Sequence, residues 1–149
     1  MKCPFCSNDE FKVVDSRESE DTIRRRRECL KCEKRFTTYE RIETDLIVIK
    51  KDGKREPYDR EKMKRGILRA CEKRPISNEK IDSFIDKIEQ QLRKMNSSEV
   101  KSSIIGNKVI AGLKSLDKVA YIRFASVYKD FTDIDSFQEE LKKLIKETR

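Results

Sequence analysis

The residue types that this sequence lacks restrict its possible functions. Its 149 residues include no histidine and no tryptophan, with only four glycines and three prolines. Without histidine, a metal site in this chain has no imidazole ligand, and the commonest general base of enzymes is missing. The glycines, at positions 53, 66, 106 and 112, form no G-x-x-x-x-G-K-[ST] phosphate loop. These absences argue against an enzyme of the ATPase kind.

Long apolar runs are also missing. No segment approaches the roughly 18–20 apolar residues that cross a bilayer. The segment Met1-Lys2-Cys3-Pro4-Phe5 carries no apolar stretch of the kind found in secretory signals. We therefore expect a soluble, cytoplasmic protein with no membrane partner. In that compartment thiols stay reduced, so clustered cysteines indicate a metal site rather than disulfides.

The chain is rich in charge, and its basic excess is unevenly placed. Lysine and arginine total 36 against 28 acidic residues, giving a net charge of +8 at pH 7. Such a balance suits a polyanionic partner, although a merely soluble surface would also carry it. Residues 1–45 hold 11 basic and 11 acidic side chains, so residues 46–149 carry the whole excess. Nucleic-acid binding by the N-terminal part must therefore depend on local clustering.

Four of the five cysteines form two Cys-x-x-Cys pairs, Cys3 with Cys6 and Cys29 with Cys32, with 22 residues between the pairs. Two such pairs supply four thiolates to one tetrahedral Zn²⁺, and four protein ligands make the site structural rather than catalytic. The alternatives are buried structural cysteines or a redox dithiol pair. Cys71 stands apart on an apolar helical face and is expected in a core.

Alternating residues predict three short strands near 11–15, 22–28 and 35–41, which bury too little surface to fold unaided. The turn around each cysteine pair is here called a knuckle. In the first knuckle Ser7 and Asn8 stand where many zinc ribbons have glycine, so Asn8 is expected to take the left-handed conformation. A second pair of strands, 46–50 and 54–58, flanks an Asp52-Gly53 turn, and Pro57 is expected to end the return strand or to lie at an edge.

Helical spacing dominates after residue 60. Asn96 with Glu99 predicts a capping box, and Asp117 predicts a further N-cap. Asp135 and Gln138 bracket a final amphipathic helix that carries Leu141, Leu144 and Ile145. We therefore predict an α+β protein. Its parts are a four-cysteine zinc ribbon at 1–45, a short hairpin or sheet over a helical bundle at 46–136, and a C-terminal amphipathic helix at 137–149.

Basic and aromatic residues cluster beside the second cysteine pair. If 24–27 is a strand, Arg24 and Arg26 share one face, while Arg25 and Arg27 share the other. The next strand places four side chains on one side and Phe36 on the other. Guanidinium, hydroxyl and phenol groups contact phosphates and base edges, which favours nucleic acid over a solvated charge run, without separating DNA from RNA. The four side chains are Arg35, Thr37, Tyr39 and Arg41.

These motifs resemble the NrdR family of bacterial repressors of ribonucleotide reductase genes. The resemblance rests on the cysteine pairs, the Arg24–Arg27 run and 35–41, and continues through 48–56, 70–75 and 117–128. It implies an ATP-cone that binds ATP or dATP, with Lys51 standing where the family usually has arginine. It also implies that six residues surround the nucleotide: Val48, Lys50, Lys51, Arg55, Glu56 and Lys62. Tyr121 and Tyr128 are expected near the nucleotide or at subunit contacts.

The residues themselves support nucleotide binding only in part. Lys50, Lys51, Lys54, Arg55 and Lys62 concentrate positive charge around one hairpin and the following helix. This arrangement suits a triphosphate, but a solvated hairpin face would look the same.

The resemblance thus predicts a homo-oligomeric, nucleoid-associated repressor of double-stranded operator DNA, with one structural Zn²⁺ per chain and ATP or dATP as effector. The competing hypotheses are an ATPase or reductase fragment, and a general zinc-ribbon protein that binds RNA or ribosomes.

Overall fold

A computed structural model describes residues 1–148 and divides the chain between Thr44 and Asp45 into two compact units. The first unit is an antiparallel sheet of three strands in the order β1-β2-β3. Its strands are β1 (Phe11–Ser19), β2 (Thr22–Cys29) and β3 (Arg35–Arg41). Only Cys3 and Cys29 are buried in this unit, so its sheet has no hydrophobic core of its own.

The second unit places a small sheet beside helices, and this mixed architecture confirms the expected α+β class. Its sheet has the order β5-β4-β6, with β4 antiparallel to β5 and parallel to β6. The elements are β4 (Ile47–Ile49), β5 (Arg55–Pro57), α1 (Arg60–Ala70), α2 (Asn78–Lys94), β6 (Glu99–Lys101), α3 (Ser102–Leu116), α4 (Lys118–Tyr128) and α5 (Ile134–Lys146).

The hairpin of this sheet forms as its sequence predicts. Gly53 takes the left-handed conformation, with φ of 82°, which glycine adopts without steric cost. The Lys50 N–H donates to the Lys54 carbonyl at 2.9 Å. Pro57 ends β5, an edge strand, where its missing N–H breaks no ladder bond.

The capping box expected at Asn96 and Glu99 is wrong. Asn96 has a φ of 56°, and Glu99 begins strand β6 rather than a helix. The reason is a long-range contact. Val100 pairs with Val48 across the parallel ladder, and both side chains are buried. This tertiary pairing outweighs the local capping signal, and α3 begins at Ser102 with no side-chain cap.

The core of the second unit lies among α1 to α4. Cys71 is buried there, as expected for a core thiol. Two glycines of α3 allow close packing, because a Cβ at Gly106 would lie 2.1 Å from the Tyr128 ring, and one at Gly112 would lie 2.1 Å from Phe84. The most completely buried aliphatic side chains are Ile67, Ile81, Ile85, Leu92, Val109 and Leu113.

The last helix begins earlier than expected. Its N-cap is Asp133, whose carboxylate accepts the Ser136 N–H at 2.7 Å, so the helix starts before Asp135. Both aspartates fit the pattern of an acidic first turn, and only the backbone geometry distinguishes them. In α5 only Leu144 is buried. Among residues 1–148, no helix combines the length and apolarity needed to span a membrane.

Asp117 joins two parts of the second unit. As predicted, it caps α4, accepting the Ala120 N–H at 2.8 Å. Its two carboxylate oxygens also share the Nε–H of Arg74 in a bifurcated hydrogen bond, at 3.0 and 3.1 Å. Burial opposes ionisation of this carboxyl, but the Ala120 N–H and the Arg74 guanidinium outweigh it, so the pKa of Asp117 lies below its usual value.

Replacing Asp117 by alanine is therefore expected to lower the free energy of unfolding of the second unit by about 1–2 kcal/mol at neutral pH. Urea unfolding followed by far-ultraviolet circular dichroism measures this loss. Because the folded pKa is depressed, the stabilisation is complete above about pH 5 and fades as pH falls through that lowered pKa. Asp135→Ala, which removes an exposed carboxylate that caps nothing, is the control. Equal stability of the two variants would contradict the assignment.

Candidate functional site

The four cysteines of the first unit meet at one point. Their Sγ atoms all lie within 4.8 Å of one another. Cys3 and Cys32 are 3.7 Å apart at sulfur, and Cys6 and Cys29 are 3.6 Å apart. Zn–S bonds of about 2.3 Å in a tetrahedron place the sulfurs about 3.8 Å apart, whereas a disulfide needs about 2.05 Å. The donor set and its spacing therefore fit one structural zinc ion.

Matching turns build the two cysteine knuckles. The Ser7 N–H donates to the Cys3 carbonyl at 2.9 Å, and the Glu33 N–H donates to the Cys29 carbonyl at 3.0 Å. Ser7 and Glu33, each following the second cysteine of its pair, have φ of 61° and 59°. The left-handed residue is thus Ser7, and the expectation for Asn8 is wrong.

Asn8 serves the site in another way. Its carbonyl accepts the Cys3 N–H at 2.7 Å, and its side-chain amide points at Sγ of Cys29 from 3.8 Å. The amide also donates to the Glu10 carbonyl at 3.2 Å. These contacts hold Asn8 in the segment that leads into β1, and the left-handed turn falls on the preceding residue.

Backbone N–H groups favour the thiolate form of Cys29, whereas burial and the neighbouring thiols raise the pKa of Cys32. The N–H groups of Cys32 and Lys31 lower the pKa of the Cys29 thiol to about 6, and the Phe5 N–H donates to Sγ of Cys3 at 3.5 Å. The thiolate is the metal-binding form of cysteine. In contrast, burial raises the pKa of the Cys71 thiol, which keeps that residue protonated in the core.

The register of β2 and β3 assigns basic side chains to faces. Arg24 pairs with Tyr39, and Arg26 pairs with Thr37. Directly paired residues in antiparallel strands project to the same side. This side, here called the arginine face, consists of Arg24, Arg26, Arg35, Thr37, Tyr39 and Arg41.

The other two arginines of the run are engaged on the opposite side. Arg25 donates to Glu40, and Nε of Arg27 donates to Thr38 Oγ1 at 2.8 Å. On this side Phe36 packs edge-on against Phe11, with ring centroids 5.2 Å apart. Phe36 therefore projects away from the arginine face.

Residues of the arginine face differ in how they are held. Nε of Arg35 donates to Glu28 at 2.8 Å, and Lys12 pairs with the same carboxylate at 2.7 Å. Hydrogen bonds from Lys12 and Arg35 hold the pKa of Glu28 below its usual range. The Arg41 guanidinium stacks over the Tyr39 ring, 4.5 Å from its centroid.

One residue of this surface is not predicted by the sequence pattern. Arg17 of β1 lies opposite Arg24, which places it on the arginine face, where it is exposed and pairs with Asp15 at 3.3 Å. A β-bulge between Val13 and Asp15 shifts the alternation of β1. Because an extra residue inverts the facing of every later residue in the strand, counting along β1 alone assigns Arg17 wrongly.

In the second unit, one carboxylate joins two of the expected nucleotide residues. Glu56 of β5 lies 3.3 Å from Nζ of Lys50 and 3.0 Å from Nζ of Lys62. Its pKa is lowered, chiefly by the hydrogen bond from Lys62, and the same contact raises the pKa of Lys62. Val48, which precedes Lys50 by two residues on β4, is buried in the core.

The remaining expected residues lie in different surroundings. Arg55 pairs with Glu99 of β6 at 3.0 Å, and Lys51 is exposed at the hairpin turn. Tyr121 is buried and donates to Glu140 of α5. Tyr128 donates to the Ser103 carbonyl at 3.0 Å. The structure thus groups Val48, Lys50, Glu56 and Lys62, while Arg55 and the two tyrosines contact other partners.

Two family models match separate parts of the chain. The one described as the N-terminal domain of transcriptional repressor NrdR-like proteins matches residues 1–40, and the ATP cone domain matches residues 46–134. The chain belongs to the NrdR family. The match to both models confirms the resemblance seen in the sequence, including the zinc ribbon and the ATP cone.

Curated relatives support the same assignment over the whole chain. A transcriptional repressor NrdR of Petrotoga mobilis is 58% identical over 147 residues, covering 97% of this chain and 98% of the relative. Proteins of the same name are 53% identical in Alkaliphilus oremlandii (99% of this chain, 97% of the relative) and in Listeria innocua (100% and 99%). The NrdR family is one of transcriptional repressors, so the role is regulatory rather than enzymatic.

Removal of zinc is expected to unfold the first unit and spare the second, because only the first depends on the cysteine cluster for its interior. A chelator should erase the amide signals of residues 1–44 in a two-dimensional NMR spectrum, while those of the α1 to α4 core persist. Cys29→Ser should likewise lose most of the bound zinc.

Cys71→Ser is the matched control, because it replaces the one cysteine outside the cluster and should retain one zinc per chain. A first unit that stays folded without metal would show that the thiolate cluster does not hold it together.

Proposed function

We propose that this protein represses ribonucleotide reductase genes by binding operator DNA upstream of them through its zinc ribbon. ATP or dATP bound in the ATP cone controls self-association and thereby DNA affinity. The proposed site of action is the bacterial nucleoid in the cytoplasm. The observation that supports the DNA-binding part most directly is the arginine face, where the sheet register aligns guanidinium, hydroxyl and phenol groups.

The arginine face suits DNA because two of its guanidinium groups are uncommitted. Within residues 1–148, no ion pair joins Arg24 or Arg26 to a carboxylate, and Arg26 is exposed. Arginine donates two parallel hydrogen bonds to a phosphate or to a guanine edge. Thr37 and Tyr39, opposite these arginines, add hydroxyl donors, so the face offers contacts to both backbone and bases. Arg25 and Arg27, engaged on the other side, contribute chiefly through net charge.

Nucleotide binding is supported by the arrangement around Glu56. Two lysines converge on this one carboxylate, so the group of three carries a net positive charge. A polyphosphate supplies more negative charge than one carboxylate and is therefore able to recruit both ammonium groups. Glu56 remains as an acceptor for hydroxyl groups of the sugar. Lys51 and Arg55 at the same hairpin add charge along the approach to this group.

Control of DNA affinity requires two assemblies that bind nucleotide unequally, since a ligand with equal affinity for both shifts nothing. A homo-oligomer meets this requirement when its nucleotide state sets how protomers associate. Two linked ribbons then engage two half-sites together, which raises affinity without new contacts. Abundant dATP would favour the assembly whose ribbon spacing matches the operator.

Arg26→Ala is expected to weaken operator binding by roughly ten-fold and to reduce the steepness of its salt dependence, because a phosphate contact is lost. Fluorescence anisotropy at several salt concentrations measures both effects. Nucleotide affinity, measured by calorimetry, should not change. Arg24→Ala should behave similarly.

Arg25→Ala provides the matched control, since it removes the same charge from the opposite side of the same strand. Equal losses of operator affinity for Arg25→Ala and Arg26→Ala would show that binding depends on net charge alone. That result would disprove recognition by a defined face. Tighter binding to structured RNA than to operator DNA at matched salt would instead favour the RNA-binding hypothesis.

Lys62→Ala is expected to weaken ATP and dATP binding by ten-fold or more, because it removes one of the two ammonium groups that converge on Glu56. Isothermal titration calorimetry measures this change. Lys64→Ala, on the same helix but paired with Asp82 at 2.8 Å, serves as control. Unchanged nucleotide affinity in Lys62→Ala would exclude this position from the site.

A further inference from the structure

A groove of about 1070 Å³ runs between α2 and α3. Its apolar lining includes Phe84 and Ile88 of α2 and Ile104 and Leu116 of α3. On the α3 side the lining also includes the small residues Ala111 and Gly112, and the Phe84 ring packs on Gly112. None of the residues expected around the nucleotide lines this groove, so it is a second, separate surface of the unit.

The rim of the groove carries lysines that form no ion pair within the described part of the chain. Lys80, Lys87 and Lys108 all line it. Within residues 1–148 no ion pair joins these three to a carboxylate, whereas other lysines of the unit are paired, such as Lys62 at 3.0 Å and Lys114 at 2.6 Å. The one acidic residue of the lining, Glu79, lies toward the end formed by the start of α2. Because Lys80 lies beside Glu79 at that end, the net positive charge of the groove is concentrated at Lys87 and Lys108. A complementary occupant is therefore apolar along one side and acidic in the half that meets these two lysines.

Helix α5 has these properties on its outer side. Ile134 and Ile145 are 83% and 58% exposed, and helical spacing aligns them with the half-buried Leu141. Asp135 and Glu139 flank this stripe in the first half of the helix. Lys142 and Lys146 flank the stripe in the second half of the helix. Among the described residues, neither Asp135 nor Glu139 forms an ion pair.

The lengths also agree. Helix α5 has 13 residues, about 20 Å at 1.5 Å per residue. The part of α2 that lines the groove extends from Glu79 to Gln91, also about 20 Å by the same rise. A helix of this length would fill the groove from end to end, placing its apolar stripe between two antiparallel helices.

We propose that the groove between α2 and α3 receives helix α5 of a second copy of this chain. The acidic half of α5 then lies against Lys87 and Lys108, and its basic half lies at the end where Glu79 and Lys80 offset each other. Within its own chain α5 is held on α4, where Glu140 accepts from Tyr121 and pairs with Lys129 at 2.9 Å. The apolar stripe of Ile134, Leu141 and Ile145 is thus available to another protomer. This contact deepens the proposed self-association and depends on it.

The test uses the full-length, zinc-loaded protein in sedimentation velocity with ATP, with dATP and with neither. Lys87→Glu and Glu139→Lys each place like charges across the contact, so each is expected to weaken self-association at least ten-fold. The double variant Lys87→Glu/Glu139→Lys restores opposite charges and should recover most of the loss. Ile134→Ser, which changes an exposed residue, should weaken association without unfolding the chain.

Lys94→Glu, the same charge change on α2 but outside the groove, is the control and should associate normally. If the parent self-associates and the groove variants match it, the proposal is overturned while nucleotide-controlled oligomerisation stands. That result is also the one expected if a small anionic amphiphile or another protein occupies the groove. A protein that is monomeric under all three conditions overturns both. Zinc content and nucleotide affinity, measured on the same samples, verify that each variant is folded.

Discussion

The coordination of four thiolates around one metal ion is the constraint on which the first unit depends. Cys3 and Cys29 are its only buried residues, so the metal ligands form the interior that a hydrophobic core would otherwise supply. A three-stranded sheet of this size is marginal in water without such a bond. Matching left-handed turns at Ser7 and Glu33 and N–H donors to sulfur shape the knuckles. Rigid knuckles in turn fix the register that aligns Arg24 and Arg26 with β3.

The second unit is stabilised by a different interaction. Buried aliphatic side chains of α1 to α4 fill its interior, and the small sheet presents charged groups at the hairpin. Glu56 partly neutralises Lys50 and Lys62, which limits repulsion between the two ammonium groups. The hydrophobic core thus provides a fixed support, while the charges that would meet a polyphosphate remain at the surface, where they exchange partners at small cost.

Local signals in the sequence predicted the features that depend on nearest neighbours. The Asp52-Gly53 turn, the Asp117 cap and the end of β5 at Pro57 each depend on the backbone preference of a few residues. Where a signal competed with a distant contact, prediction failed. Asn96 and Glu99 have the spacing of a capping box, yet Val100 pairs with Val48 of β4. The bulge in β1 likewise leaves no mark in the sequence, and with it the facing of Arg17 was missed.

Residue type and spacing along one chain were enough to specify the ligand set of the zinc site, the α+β class and the family. Which arginines share a face became clear only in the folded chain, since facing depends on strand register and on a bulge. The fold also brings Glu56 between Lys50 and Lys62, and it directs Tyr121 to α5. These relations arise from the packing of segments far apart in the chain, and no periodicity within one segment records them.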